Sequence, residues 1–265
     1  MSFKNKLHRL LKKPFFGRFQ KPWIWPDSID KADWRPLKIA SKSGAELSAL
    51  VGETTLQNAK GAILLAHPMG LTAKGFWLKY GHAALLREAG YHVMVFDFNG
   101  FGESENTNME FPLDVLSAGL HLQELYSKLS IGIVGSSMGG AMSICAMAYP
   151  NHPFKAAVIE SAFPTLMHFW GRFRLPKIAL LIVKCVHPKG ERRLRPLNAS
   201  KNLFNNPKVL LIYGDKDEHT PANDGRELYR ALLEKVDTDF WLVHNADHTH
   251  AFGAAPAEYA ERVIG

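Results

Sequence analysis

A chain of 265 residues, 46% hydrophobic and 22% charged, is long enough for one large core and too apolar for a disordered chain. No apolar run reaches the length of a membrane span, since the longest candidate, IALLIVKCV at 178–186, contains Lys184. The net charge of +7 is concentrated: residues 1–26 hold seven Lys/Arg and no acid, residues 163–206 hold nine and only Glu191, and the rest of the chain is acidic.

The first basic segment reads as a short helix ended near Pro14. Phe3, Leu7, Leu10 and Leu11 recur on one side, and Lys4, Lys6, Arg9, Lys12 and Lys13 cover much of the rest. Three readings fit a basic extension over residues 1–33: peripheral contact of residues 1–26 with an anionic membrane, packing on the body, or a cleavable targeting segment. It lacks the uninterrupted apolar stretch and cleavage site of a secretory signal, and Cys145 and Cys185 have no metal or redox spacing. A cytoplasmic location, with a peripheral membrane contact as an option, is expected. No nucleic-acid partner is expected.

From residue 34 onward, short apolar runs alternate with helical patterns, which predicts a mostly parallel sheet covered by helices on both faces. Eight strands are expected, at 37–41, 46–51, 62–66, 92–97, 131–135, 155–160, 208–213 and 240–244. Gly44 suits a hairpin between the first two, and the later ones are separated by helix-length segments. Helices are expected at about 75–89, 112–128, 138–149, 222–235 and 256–263. The stretch 163–206 is too long for a structureless loop and predicts an inserted helical lid, with LPKIALLIVKCVHP as its main element. Phe163, Leu166, Met167, Phe169, Trp170 and Phe173 are enough to line a greasy tunnel there, although such residues also serve plain core packing.

In Gly135-Ser136-Ser137-Met138-Gly139 a strand must turn into a helix within one residue. That puts Ser137 in a strained conformation at the helix N-terminus, its hydroxyl raised and the Met138 N–H facing a developing oxyanion. The same pattern also serves as a tight packing turn or a phosphate cradle, so its context decides. A serine needs a base, and the base an orienting carboxylate. Asp215 and Asp217 follow the seventh strand, and His244, His248 and His250 follow the eighth, at the strand ends where ligands bind in open parallel sheets. Asp215 directly follows Gly214 and suits a turn cap, whereas Asp217 lies further into the loop, where it can reach a histidine.

Four motifs together resemble the α/β-hydrolase family, from about Trp34 to the C-terminus: AHPMG (66–70), FDFNGFGES (96–104), the GSSMGG turn, and the terminal Asp and His loops. The resemblance implies an eight-stranded α/β-hydrolase fold. It maps Ser137 to the nucleophile, Asp217 to the acid and His248 to the base, with Met69 and Met138 supplying oxyanion N–H groups. Pro68 replaces the family's usual glycine and has no N–H, so the second donor falls to Met69 or Gly70. His67 either hydrogen-bonds beneath this loop or lines the pocket; Asp97, Gly100, Gly102 and Ser104 shape the loop after the fourth strand. The activity implied is a serine esterase or lipase acting on a small acyl-ester or lipid substrate through an acyl-enzyme, with no cofactor or metal. A thioesterase or acyltransferase is the alternative, and a catalytically inactive binding module the second.

Overall fold

The computed structural model describes residues 12, 16, 19, 21–186 and 188–264. The helix expected near the start of the chain lies outside the described residues, apart from Lys12. Eight strands form one sheet: β1 (Arg35–Ala40), β2 (Glu46–Gly52), β3 (Gly61–Ala66), β4 (Tyr91–Phe96), β5 (Ile131–Ser136), β6 (Phe154–Glu160), β7 (Lys208–Gly214) and β8 (Thr238–Val243), in the order β1-β2-β4-β3-β5-β6-β7-β8. β1 and β2 form the hairpin around Gly44, whose φ of 84° requires glycine, and β2 also pairs antiparallel with β4. The remaining pairings are parallel.

The central strands are continuous apolar runs because both their faces are covered; every residue of β3 is buried. Successive side chains enter opposite layers. Leu64, Met94, Phe96 and Ile133 join the core beneath the helices α3 (Phe111–Leu125), α4 (Met138–Ala146) and α9 (Ala222–Leu233). Leu65, Val93 and Val95 face Phe76, Trp77 and Leu86 of α1 (Gly75–Lys79) and α2 (His82–Glu88). The single helix expected over 75–89 is therefore two, because Gly81 adopts φ 81° and ends the first. After the short α10 (Ala251–Ala254), α11 (Pro256–Ile264) places Tyr259 against Trp241 and Val243.

Between β6 and β7 the chain runs through α5 (Leu166–Trp170), α6 (Arg174–Val186), α7 (Pro188–Arg193) and α8 (Pro196–Ala199). The described residues of the basic extension pack against the body. Phe16 and Phe19 belong to the main core, Trp23 to the second layer, and Lys12 donates to Asn99 Oδ1 (2.7 Å) and the Asn108 carbonyl (2.8 Å).

One buried charge cluster fixes the loop after β4. Lys74 Nζ donates to Asp97 Oδ2 and Glu103 Oε2, each at 2.7 Å, while the Lys74 and Glu103 N–H groups also donate to the Asp97 carboxylate. Burial works to raise the Glu103 carboxyl, but the hydrogen bond and charge of Lys74 hold it below its ordinary value. Gly102 passes so close to Asp97 that a β-carbon would come within 2.3 Å of its carboxylate. Ser104 caps the arrangement, donating to the Asp97 carbonyl at 2.7 Å. Asp97 and Lys74 are fully buried, so removing Asp97 leaves the Lys74 ammonium with Glu103 as its one carboxylate and takes the acceptor from the Lys74 and Glu103 N–H groups. Asp97→Ala is predicted to lower the unfolding free energy by about 3–5 kcal/mol in urea denaturation. A loss within about 0.5 kcal/mol, the range of an ordinary surface substitution, would contradict the account.

Candidate active site

The end of β5 leads straight into α4, and the turn between them is fixed by backbone contact. A β-carbon at residue 139 would lie 1.9 Å from the Ala66 carbonyl oxygen, and one at residue 135 would lie 2.8 Å from the Gly139 backbone. Only glycine lets the helix start this close to the ends of β3 and β5. Ser137 takes up the reversal at φ 51° and ψ −115°, conformational strain of about 1–3 kcal/mol. Its N–H donates to the Glu160 carbonyl (2.8 Å), and its own carbonyl accepts from Ala141 N (2.9 Å), opening α4.

The structure brings Ser137, Asp217 and His248 together. Nδ1 of His248 donates to Asp217 Oδ2 at 2.8 Å, which leaves Nε2 as acceptor for the Ser137 hydroxyl at 2.9 Å. Asp217 Oδ1 accepts from the His219 and Thr220 N–H groups, both at 2.8 Å, and Oδ2 from the Thr220 hydroxyl at 2.7 Å. Burial pushes the Asp217 carboxyl upward, but His248 and the Thr220 donors outweigh it and hold the group below its ordinary value. An ionised carboxylate fixed in this way orients the imidazole and stabilises its protonated form. Asp215 instead pairs with exposed His244 (2.6 Å) and accepts from Asn245 N (2.8 Å), shaping the turn before the histidine loop. His250 donates from Nδ1 to the His248 carbonyl (2.7 Å).

Met69 and Met138 line the same cleft as Ser137. Beneath that loop His67 is fully buried, donating from Nδ1 to the Pro68 carbonyl (2.7 Å) and accepting from Phe98 N at Nε2 (3.2 Å). Burial lowers its pKa, so it stays a neutral strut under residues 67–70. The cleft is almost wholly apolar. Its walls include Phe111 and Met142 of the body, Phe163, Trp170 and Leu180 of the insertion, and Phe16 of the basic extension. This last contribution is invisible in sequence, because Phe16 meets the site through contacts between distant segments, edge-on to Phe101, Phe111 and Trp170.

Sequence reasoning also missed Glu160 and Ser161, onto which the site loops converge. The Glu160 carbonyl holds Ser137 N, its Oε1 holds Ala251 N (2.9 Å) at the end of the histidine loop, and the Ser161 carbonyl lies 3.0 Å from the Thr220 hydroxyl. The available signal was an acid closing the otherwise apolar run AAVIE. Glu160 is fully buried, Oε2 has no hydrogen-bond partner among the described residues, and burial raises the carboxyl to about 7. A carboxyl raised from 4.5 binds its proton more tightly folded than unfolded. The stability it contributes is thus complete at low pH and is lost as pH rises toward 7. Glu160→Gln keeps an oxygen for Ala251 N and removes the titration. Between pH 4.5 and pH 7, wild-type unfolding free energy is predicted to fall by about 3 kcal/mol relative to this variant. A difference that stays constant across the window would refute the assignment.

A sequence search of curated proteins finds no match. In structure the chain is similar to an esterase of Pyrococcus furiosus (20% identity, TM-score 0.72, 92% of this chain and 94% of that one). It is also similar to a highly thermostable carboxyl esterase of Bacillus coagulans (14% identity, TM-score 0.68, 88% and 97%). An acylaminoacyl peptidase of Pyrococcus horikoshii aligns over 86% of this chain but only 40% of its own length (18% identity, TM-score 0.62). At these identities the likeness establishes the α/β-hydrolase fold. The sequence pattern of the prolyl oligopeptidase family matches residues 77–263, which span the turn at Ser137 and the loops of Asp217 and His248. The chain belongs to the prolyl oligopeptidase family and is a serine hydrolase.

Proposed function

We propose that the protein is a carboxylic ester hydrolase in which Ser137 is the nucleophile, His248 the general base and Asp217 the orienting acid. The observation that carries the reading is the continuous hydrogen-bonded chain from Asp217 through His248 to Ser137, ending in an almost wholly apolar cleft. A cleft of that polarity suits the acyl part of an ester or lipid better than a peptide backbone, which needs polar partners along its length. The esterases of Pyrococcus furiosus and Bacillus coagulans support the same choice.

In the proposed reaction Ser137 Oγ attacks the ester carbonyl carbon while its proton passes to His248 Nε2. The oxyanion accepts from the N–H groups of Met138 and Met69. Collapse expels the alkoxide, which takes the proton from His248 and leaves as alcohol. Water then attacks the acyl-enzyme, giving a proton to the same nitrogen, and collapse releases the acid while Ser137 Oγ takes that proton back. Residues 34–265 form the catalytic domain of this reading, with 163–206 as a lid whose inner side holds the acyl chain.

The proposal includes a cytoplasmic protein in peripheral contact with an anionic membrane through residues 1–26, supported by seven Lys/Arg without an acid in that stretch. Lys12, Phe16, Phe19 and Trp23 are buried against the body and are spent on packing. Among the described residues no helix is long and apolar enough to cross a membrane.

Ser137→Ala is expected to abolish hydrolysis of p-nitrophenyl butyrate while the melting temperature holds. Asp217→Asn should lower kcat by about four orders of magnitude through the wrong imidazole tautomer, whereas Asp215→Asn should change it only a few-fold. If the two asparagine variants rank the other way, the acid has been misassigned.

A further inference from the structure

Five large apolar side chains stand exposed within ten residues of the insertion: Phe173, Leu175, Ile178, Leu181 and Ile182, at 44, 78, 49, 47 and 54%. The last four share one face of α6, at the i, i+3, i+6 and i+7 positions of a helix. The opposite side of α6 is also apolar, with Leu180 buried at 5% in the cleft wall. The helix thus has one apolar face for the protein and a second that no described residue covers. A soluble surface rarely carries so dense an apolar stripe without an occupant.

The charges around the stripe indicate which occupant. Lys177 and Lys184, seven residues apart, run along one border, and Arg174 stands near its start. All three are exposed, and none has an ion-pair partner among the described residues. The one acid of residues 163–206, Glu191, is already held by Arg195. A second copy of this face would bring like charge against like charge, which disfavours self-association. An apolar stripe edged by free lysines fits a surface that is apolar below and anionic above.

We infer that the outward face of α6 docks on an anionic lipid bilayer, with Leu175, Ile178, Leu181 and Ile182 entering the acyl boundary and Lys177 and Lys184 meeting the headgroups. This contact is distinct from the basic extension. It places the helix that carries Leu180 between lipid and the cleft leading to Ser137. Adsorption does not depend on the hydrolase reading, so binding and turnover can fail separately.

The test uses the full chain and co-sedimentation with vesicles of phosphatidylcholine, with and without phosphatidylserine, at low salt. Wild type should bind the mixed vesicles and release them as salt rises. Lys177→Gln with Lys184→Gln should lower the partition coefficient by about 30-fold. Leu175→Ser with Ile178→Ser and Ile182→Ser should lower it by at least about tenfold. Both variants should keep wild-type turnover of a soluble ester, because none of these residues lines the cleft. Three results would overturn the inference: no binding by wild type, binding undiminished in both variants, which assigns adsorption to residues 1–26, or a concentration-dependent dimer abolished by the serine variant.

Discussion

The Ala66 carbonyl oxygen leaves no room for a side chain on residue 139, and this contact governs the geometry of the site. Because α4 can press its first turn against the ends of β3 and β5, the chain reverses at one residue, and that residue is Ser137 at φ 51°. The strain raises the hydroxyl to the carboxyl edge of the sheet, where the loops after β7 and β8 also emerge. Sheet order therefore accounts for how groups far apart in sequence come within a hydrogen bond of one another.

Bringing the loops to one edge does not by itself fix their mutual positions to fractions of an ångström. Glu160 and Ser161, next to Ser137 across the β5–β6 pairing, reach the Ser137 turn, the Asp217 loop through Thr220, and the His248 loop through Ala251. Ser161 itself has a positive φ of 53°, as has Thr249 at 61° in the histidine loop. Local strain is thus gathered around the candidate triad and opposed by a hydrogen-bonded bracket, which is how a site can hold a hydroxyl, an imidazole and a carboxylate in register.

Much of this architecture was legible in the sequence because the central strands are continuous apolar runs, and such runs belong to a sheet covered on both faces. The eight strands fall within two residues of the expected positions. What local pattern does not carry was not legible. The break at Gly81 depends on one left-handed residue inside an otherwise helical stretch, and Ala251–Ala254 is too short to show a period. At the site, Ser137, Asp217 and His248 could be singled out because loop position and chain order are sequence properties. Glu160 and Phe16 could not, because their contacts lie across a sheet and between distant segments.

The central claim is that a strained turn and a hydrogen-bonded relay make one hydroxyl, that of Ser137, a nucleophile. Its most direct test is to treat the intact protein with a fluorophosphonate and locate the added mass by peptide sequencing. The account predicts a single adduct on Ser137, lost when His248 is replaced by alanine. An adduct on the neighbouring Ser136, or no adduct with the protein folded, would contradict it.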